Sequence, residues 1–372
     1  MKNNWCLVLV LSFYSGLVSA QNFTEIERFL DQEKSFQSLF YLNQLKKQKN
    51  YLDPAFQFQV NNRLIESHVI NRSPIDSVLA IVRVNDSLFP AIKDPFERQY
   101  FSYNKSVLLS ATNQTKAIEE FSSGEFADTK LAGNASLKVG DWLQNERKFT
   151  ESLAPLSSAL KLFQKDSTRY YYKIFRAHYL LGFSFKNLSN HTRAEQEYQS
   201  ALRVLVSIPE PMASERSRTF NNLGNIYNET GQYRLAKLNY LQSLDIKEHV
   251  LKDSVSSATT YNNLATFYMR FGNFSQAKVC YAKALKLMPV PKSPQEQINR
   301  NTLISNYSAL LREFGEFTTS QQEVLQATLR SGKLLSSDHI SIIRLQLRII
   351  EDAISAGYFP SAVCTLSIAE VA

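Results

Sequence analysis

One pattern fixes most of what this chain can become. Phe220, Leu223, Gly224, Tyr227, Gly231, Tyr233, Ala236 and Tyr240 reappear 41 residues later as Tyr261, Leu264, Ala265, Tyr268, Gly272, Phe274, Ala277 and Tyr281. A small residue then marks a longer series, Ser152, Ala194, Ala236, Ala277, Ser320 and Ala362, at steps of 42, 42, 41, 43 and 42. Self-similarity at this period signals a stacked array in which each unit buries its apolar face only against its neighbours. Length then adds units rather than one larger core. No alternation of period two lasts for a strand's length, so the expected fold is all-α.

These residues resemble the tetratricopeptide repeat (TPR), in which a helix with aromatic, Leu, Gly and Tyr positions leads through a glycine turn to one with Ala and aromatic positions. The long spacing and the Asn-Asn-Leu-Ala start are similar to the kinesin-light-chain type. The likeness is good from Phe175 to Pro289, and weaker at Gly133 to Leu160 and after Asn301, where Ser308 and Ile350 replace the small residue of the first helix. It implies a right-handed α-solenoid of stacked antiparallel hairpins, with the first helices lining the concave side.

Upstream, Asp53-Pro54, Ser73-Pro74 and Asp94-Pro95 each place a capping side chain before a proline suited to a first helical turn. Their spacing, half the later period, predicts that degenerate hairpins fill residues 21–132, with Thr24 and Glu27 as a capping box for the first helix. About eight or nine hairpins are expected. Residues 133–372 form about six repeats, the last ending apolar and uncapped through Gly357, Phe359, Ala362, Leu366 and Ala369. Such an end predicts self-association, docking on another element, or continuation into a larger protein.

Residues 1–20 carry one charge, Lys2, then an apolar run from Trp5 to Leu17 and the short side chains Val18-Ser19-Ala20. This is the pattern of a cleavable secretory leader. Without Lys2, 41 basic residues face 34 acidic ones, interspersed and without blocks. No later segment reaches the roughly 18 uninterrupted apolar residues a membrane helix needs; the closest, 340–350, is broken by Arg344 and Arg348. Cys280 and Cys364, two repeats apart in second helices, are expected to be buried thiols rather than a disulfide.

The five histidines have no metal-ligand spacing, and neither a nucleophile elbow nor a phosphate-binding glycine loop is present. The reading is therefore of a protein that is not an enzyme and has no cofactor. Without a dense basic stripe, nucleic acid is a poor partner.

What remains is a polar stripe on the first helices. Arg218, Asn222, Asn225 and Glu229 fall opposite Phe220, Leu223, Gly224 and Tyr227 at 100° per residue. Asn222 recurs as Asn263 and Asn306, with Asn221 and Asn262 beside the first two. Amides offer a donor and an acceptor to an extended peptide backbone, and Arg218, Arg312, Arg344 and Arg348 offer charge-assisted bonds to carboxylates. The same asparagines can instead bond the neighbouring helix, and sequence leaves both roles open.

Eleven Asn-x-Ser/Thr triplets, at Asn22, Asn71, Asn85, Asn104, Asn113, Asn134, Asn187, Asn190, Asn228, Asn273 and Asn306, raise a secreted eukaryotic glycoprotein as an alternative. The preferred expectation is a bacterial exported scaffold, periplasmic or secreted, with a protein or peptide ligand on its concave face. The alternative is the sensory front of a larger protein, such as a caspase-like peptidase or a sensor kinase.

Overall fold

The computed structural model describes residues 21–206, 212–336 and 339–355. Seventeen α-helices account for most of them, and among the described residues there is no strand. The chain divides into two compact units, Met1–Pro209 and Glu210–Ala372.

In the first unit the helices are α1 (Gln21–Asp31), α2 (Ser35–Leu45), α3 (Pro54–Ile70), α4 (Ile75–Leu88), α5 (Pro95–Leu109), α6 (Gln114–Ser123), α7 (Thr129–Asn145), α8 (Phe149–Phe163), α9 (Tyr171–Asn187) and α10 (His191–Val206). The second holds α11 (Ala213–Glu229), α12 (Tyr233–Asp245), α13 (Ser254–Arg270), α14 (Phe274–Leu287), α15 (Pro294–Glu313), α16 (Phe317–Ser331) and α17 (Ile340–Ser355). Odd-numbered helices are the first members of hairpins and even-numbered ones the second. Within each unit, successive first helices pack on one another. The all-α solenoid of antiparallel hairpins is therefore the observed fold.

The repeat register is visible as packing. Ser152, Ala194, Ala236, Ala277 and Ser320 are all fully buried, while Ala362 lies outside the described residues. Facing them, first-helix glycines admit a large side chain from the second helix. A Cβ on Gly182 would lie 3.0 Å from the Tyr198 ring, one on Gly224 2.6 Å from Tyr240, and one on Gly140 2.4 Å from Leu156. Where the glycine becomes Ser308, the residue equivalent to the tyrosine is Val324, and the Ser308 hydroxyl lies 2.6 Å from that of Ser320, the small residue of the second helix.

The turn between the paired helices repeats in the same way. Arg147, Ser189, Gly231, Gly272 and Gly315 all have positive φ, between 58° and 78°, at the steps that separate the small residues. In each case the next residue donates its N–H five residues back, as from Lys148 to Leu143 and from Gln232 to Tyr227 (both 2.8 Å). This closes the helix end and sends the chain back. Glu33 and Arg72 are left-handed too, with Lys34 bonded to Phe29 and Ser73 to His68. The upstream hairpins α1–α2 and α3–α4 thus use the same turn without glycine.

Two local expectations need correction. Asp53 and Asp94 do cap α3 and α5, accepting from Phe56 N–H at 2.8 Å and Phe96 N–H at 2.9 Å. Ser73 does not cap α4, because its hydroxyl lies 2.9 Å from Nδ1 of His68. Thr24 and Glu27 form no capping box, since α1 already begins at Gln21 and Glu27 is drawn to Arg63 and Lys130.

Gly224→Val should destabilise the protein by about 2 kcal/mol or more, because Tyr240 is buried and cannot yield. Thermal unfolding measures this, and an unchanged transition would contradict the close-approach account.

Candidate functional site

In the second unit the recurrent asparagines bond across successive first helices. Asn263 Nδ2 donates to Asn221 Oδ1 at 3.1 Å, and Asn306 Nδ2 donates to Asn262 Oδ1 at 3.0 Å. The pairing is diagonal, each repeated asparagine reaching the residue beside its own equivalent in the preceding repeat. Asn225 accepts from the Tyr240 hydroxyl at 2.8 Å, and the Thr266 hydroxyl in the equivalent position lies 3.2 Å from that of Tyr281. Both tie a first helix to its own second helix.

Solvent reaches the next position around the helix. Arg218, Thr259, Thr302 and Arg344 are equivalent in α11, α13, α15 and α17, and all four are exposed. Beside them Asn222, Asn263, Asn306 and Arg348 are half-buried. Arg218 donates to the Ser214 hydroxyl at 3.2 Å. Arg312 and Arg348 converge on Glu351, at 3.0 and 2.7 Å, and Arg312 also lies 3.3 Å from the buried Asp352. Burial raises the Asp352 carboxyl, against the pull of Ser320 and Arg312. The ten residues singled out from sequence thus comprise two interhelical pairs, two arginines engaged with acids, and a more accessible set headed by Arg218 and Arg344.

The first unit contains a feature that sequence reasoning missed: a buried ionic network on the first helices. Arg63 of α3 bonds Glu27 of α1 at 2.7 Å and Glu97 of α5 at 2.5 Å, with its guanidinium 5.0 Å from the Tyr100 ring centroid. Lys130 of α7 bonds Glu27 and lies 3.3 Å from Asp31. Asp31 also receives Arg169 at 2.8 Å. Glu33 is held by Lys173 at 3.0 Å and by Arg176, which lies 3.6 Å from Asp141. Tyr100 donates to the buried Glu66. Arg63, Glu97, Lys130, Lys173 and Asp31 are all buried.

Ionised groups survive such burial only when opposite charge compensates the lost hydration. Burial alone would raise the Glu27 carboxyl, but Lys130 and Arg63 outweigh it and hold it at about 2. Burial likewise opposes ionisation of Glu33, and Arg176, Lys173 and Lys138 keep it far below the ordinary carboxylate range. Burial lowers Lys130, yet Asp31 and Glu27 raise it above an ordinary lysine. Lys138, near Arg176 and Lys173, is instead lowered, chiefly by burial.

Among the described residues no group of three or more His, Cys, Asp or Glu is placed to hold a metal ion, and no helix is long and apolar enough to cross a membrane. Cys280 is a buried thiol pushed up to about 11 by that burial; Cys364 lies outside the described residues.

Two tetratricopeptide-repeat family models match, at residues 173–249 and 257–288. Those segments are tetratricopeptide repeats. No curated protein matches the sequence. Solved structures extend the likeness of fold along the chain. The apo quorum sensor NprR from B. thuringiensis is 15% identical, with a TM-score of 0.69 over 94% of this chain and 97% of its own. A Rap protein complexed with Competence and Sporulation Factor is 13% identical, with a TM-score of 0.54 over 90% and 97%. A signal-transduction ATPase with a tetratricopeptide repeat sensor, from Pyrococcus horikoshii, is 13% identical, with a TM-score of 0.62 over 96% of this chain and 53% of its own.

Lys130→Met should cost about 3–5 kcal/mol, because it removes a cation from the buried Asp31 and the half-buried Glu27. Loss of the exposed Lys105, 2.9 Å from Asp86, should cost under about 1 kcal/mol. Chemical denaturation of both variants compares them, and equal costs would contradict the network's burial.

Acid should act on the same residues. Because the folded Glu27 is depressed from 4.5 to about 2, its contribution, about 3 kcal/mol, is present above pH 4.5. It is lost as pH falls through about 2. Glu27→Gln should flatten that part of the stability-pH curve, and an unaltered curve would show that Glu27 is not held ionised.

Proposed function

We propose that this chain is an exported, non-enzymatic scaffold or adaptor that binds a protein or extended peptide on its first-helix faces. The observation that carries the reading is the exposed row Arg218, Thr259, Thr302 and Arg344, one polar side chain per repeat. Packed helices are spaced by roughly 8 to 10 Å, and an extended chain advances about 3.3 Å per residue. Each repeat can therefore address one ligand residue in about three. Half-buried Asn222, Asn263 and Asn306 lie beside that row, and Asn263 and Asn306 each commit one amide N–H to an interhelical bond. Arginine at both ends favours a ligand with acidic groups.

Export rests on the leader pattern of residues 1–20, which lie outside the described residues. A bacterial origin is favoured by the triplet asparagines. Asn85, Asn104 and Asn134 are at most 3% exposed, and Asn104 Nδ2 donates to the Asn62 carbonyl at 2.9 Å. A glycan on these amides is incompatible with the packed helices. A second reading, as the sensor region of a larger protein, draws on the likeness to the repeat-sensor ATPase, of which this chain spans about half.

Affinity capture with residues 21–372 should recover a partner that the double variant Arg218→Glu, Arg344→Glu retains at least about tenfold less well. Equal recovery by both proteins would overturn the reading.

A further inference from the structure

The ionic network of the first unit is built from two sources distant in sequence. Its acidic edge is Glu27 and Asp31 of α1 with Glu33 of the following turn. Its basic edge is Lys130 of α7, Arg169, and Lys173 and Arg176 of α9. The hydrogen-bonded pairs across this seam are 103 to 143 residues apart in the chain.

Apolar packing holds α1 elsewhere. Ile26 and Leu30 are fully buried in a cluster with Leu42 and Leu45 of α2 and Val60 and Leu64 of α3. Helix α1 is thus fixed to α2 and α3 by apolar contact, and to α3 also by the Glu27–Arg63 pair, while charge joins it to α7 and α9. The seam is also incompletely satisfied. Gln32 Oε1 and both amide atoms of Asn134, which lies between Lys130 and Lys138 on one face of α7, are buried without a hydrogen-bond partner among the described residues.

We propose that this seam is a clasp, and that its basic edge accepts an acidic peptide segment of a partner in exchange for Glu27, Asp31 and Glu33. Removing the acidic edge alone would strand buried cations, which is why the clasp stays shut. Exchange avoids that penalty, since carboxylates of the incoming segment replace those that leave. The apolar anchor of α1 on α2 and α3 is untouched. The segment that fits is the one already present, carboxylates four and two residues apart across a helix end. The inference rests on the peptide-binding reading of the first-helix faces. It concerns the first unit, whereas the test of that reading concerns Arg218 and Arg344, so either can fail alone.

The probe is a labelled peptide with the sequence of residues 21–34, titrated by fluorescence anisotropy at low ionic strength into the full chain. The receiving protein carries Glu27→Gln, Asp31→Asn and Glu33→Gln, which keep shape and remove charge. It should bind the peptide at least about tenfold more tightly than the unaltered chain does, and added salt should weaken the complex. A peptide with the same three neutralisations should not bind. A folded variant that binds no better than the unaltered chain, or takes both peptides equally, would overturn the clasp. If the triple variant loses its helical circular dichroism, Asp31→Asn alone replaces it, with the same two outcomes.

Discussion

Close approach of paired helices is the constraint from which the other features follow. A backbone that carries glycine or alanine where its partner carries tyrosine can lie against that ring, as Gly224 does against Tyr240, and larger residues at both positions would force the helices apart. Repeating this contact stacks the hairpins and brings successive first helices side by side. Polar side chains on those helices then lose much of their water and must find partners.

The two units meet that demand with a different emphasis. In the second, neutral amides pair across the helices, Asn263 with Asn221 and Asn306 with Asn262, leaving accessible polar positions beside them. In the first, full charges pair, from Arg63 with Glu27 and Glu97 to Lys173 with Glu33. Amide pairs cost little to bury and leave hydrogen-bonding capacity for a ligand. Buried ion pairs are conditional on both members, which makes the first unit sensitive to any event that supplies or removes a carboxylate.

The parts of this arrangement legible in sequence are those set by local volume. Ser152, Ala194, Ala236, Ala277 and Ser320 marked the packed positions because only small residues fit there. Gly231 and Gly272 marked the turns because they adopt positive φ without strain. Arg147, Ser189 and Glu33 hide the same turn, since a non-glycine residue can occupy it at a cost of about 1–2 kcal/mol when the helices on both sides hold it. The ionic network was hidden for a different reason. Lys130 and Lys173 belong to charges interspersed along the chain without blocks, and their partners Glu27 and Glu33 lie over a hundred residues away, beyond the reach of any helical spacing rule. The asparagine pairs were half legible: the recurrence showed in the sequence, but the diagonal that joins Asn263 to Asn221 depends on how far one helix is staggered against the next.

The most direct test is a double-mutant cycle between Glu33 and Lys173, which lie 3.0 Å apart, with Glu33→Gln and Lys173→Met made singly and together and stability read from chemical denaturation. If charge closes the first unit as described, the pair should show a coupling energy of about 1.5 kcal/mol or more. A coupling near zero would mean that packing alone closes the unit, and that its acidic and basic edges are no clasp.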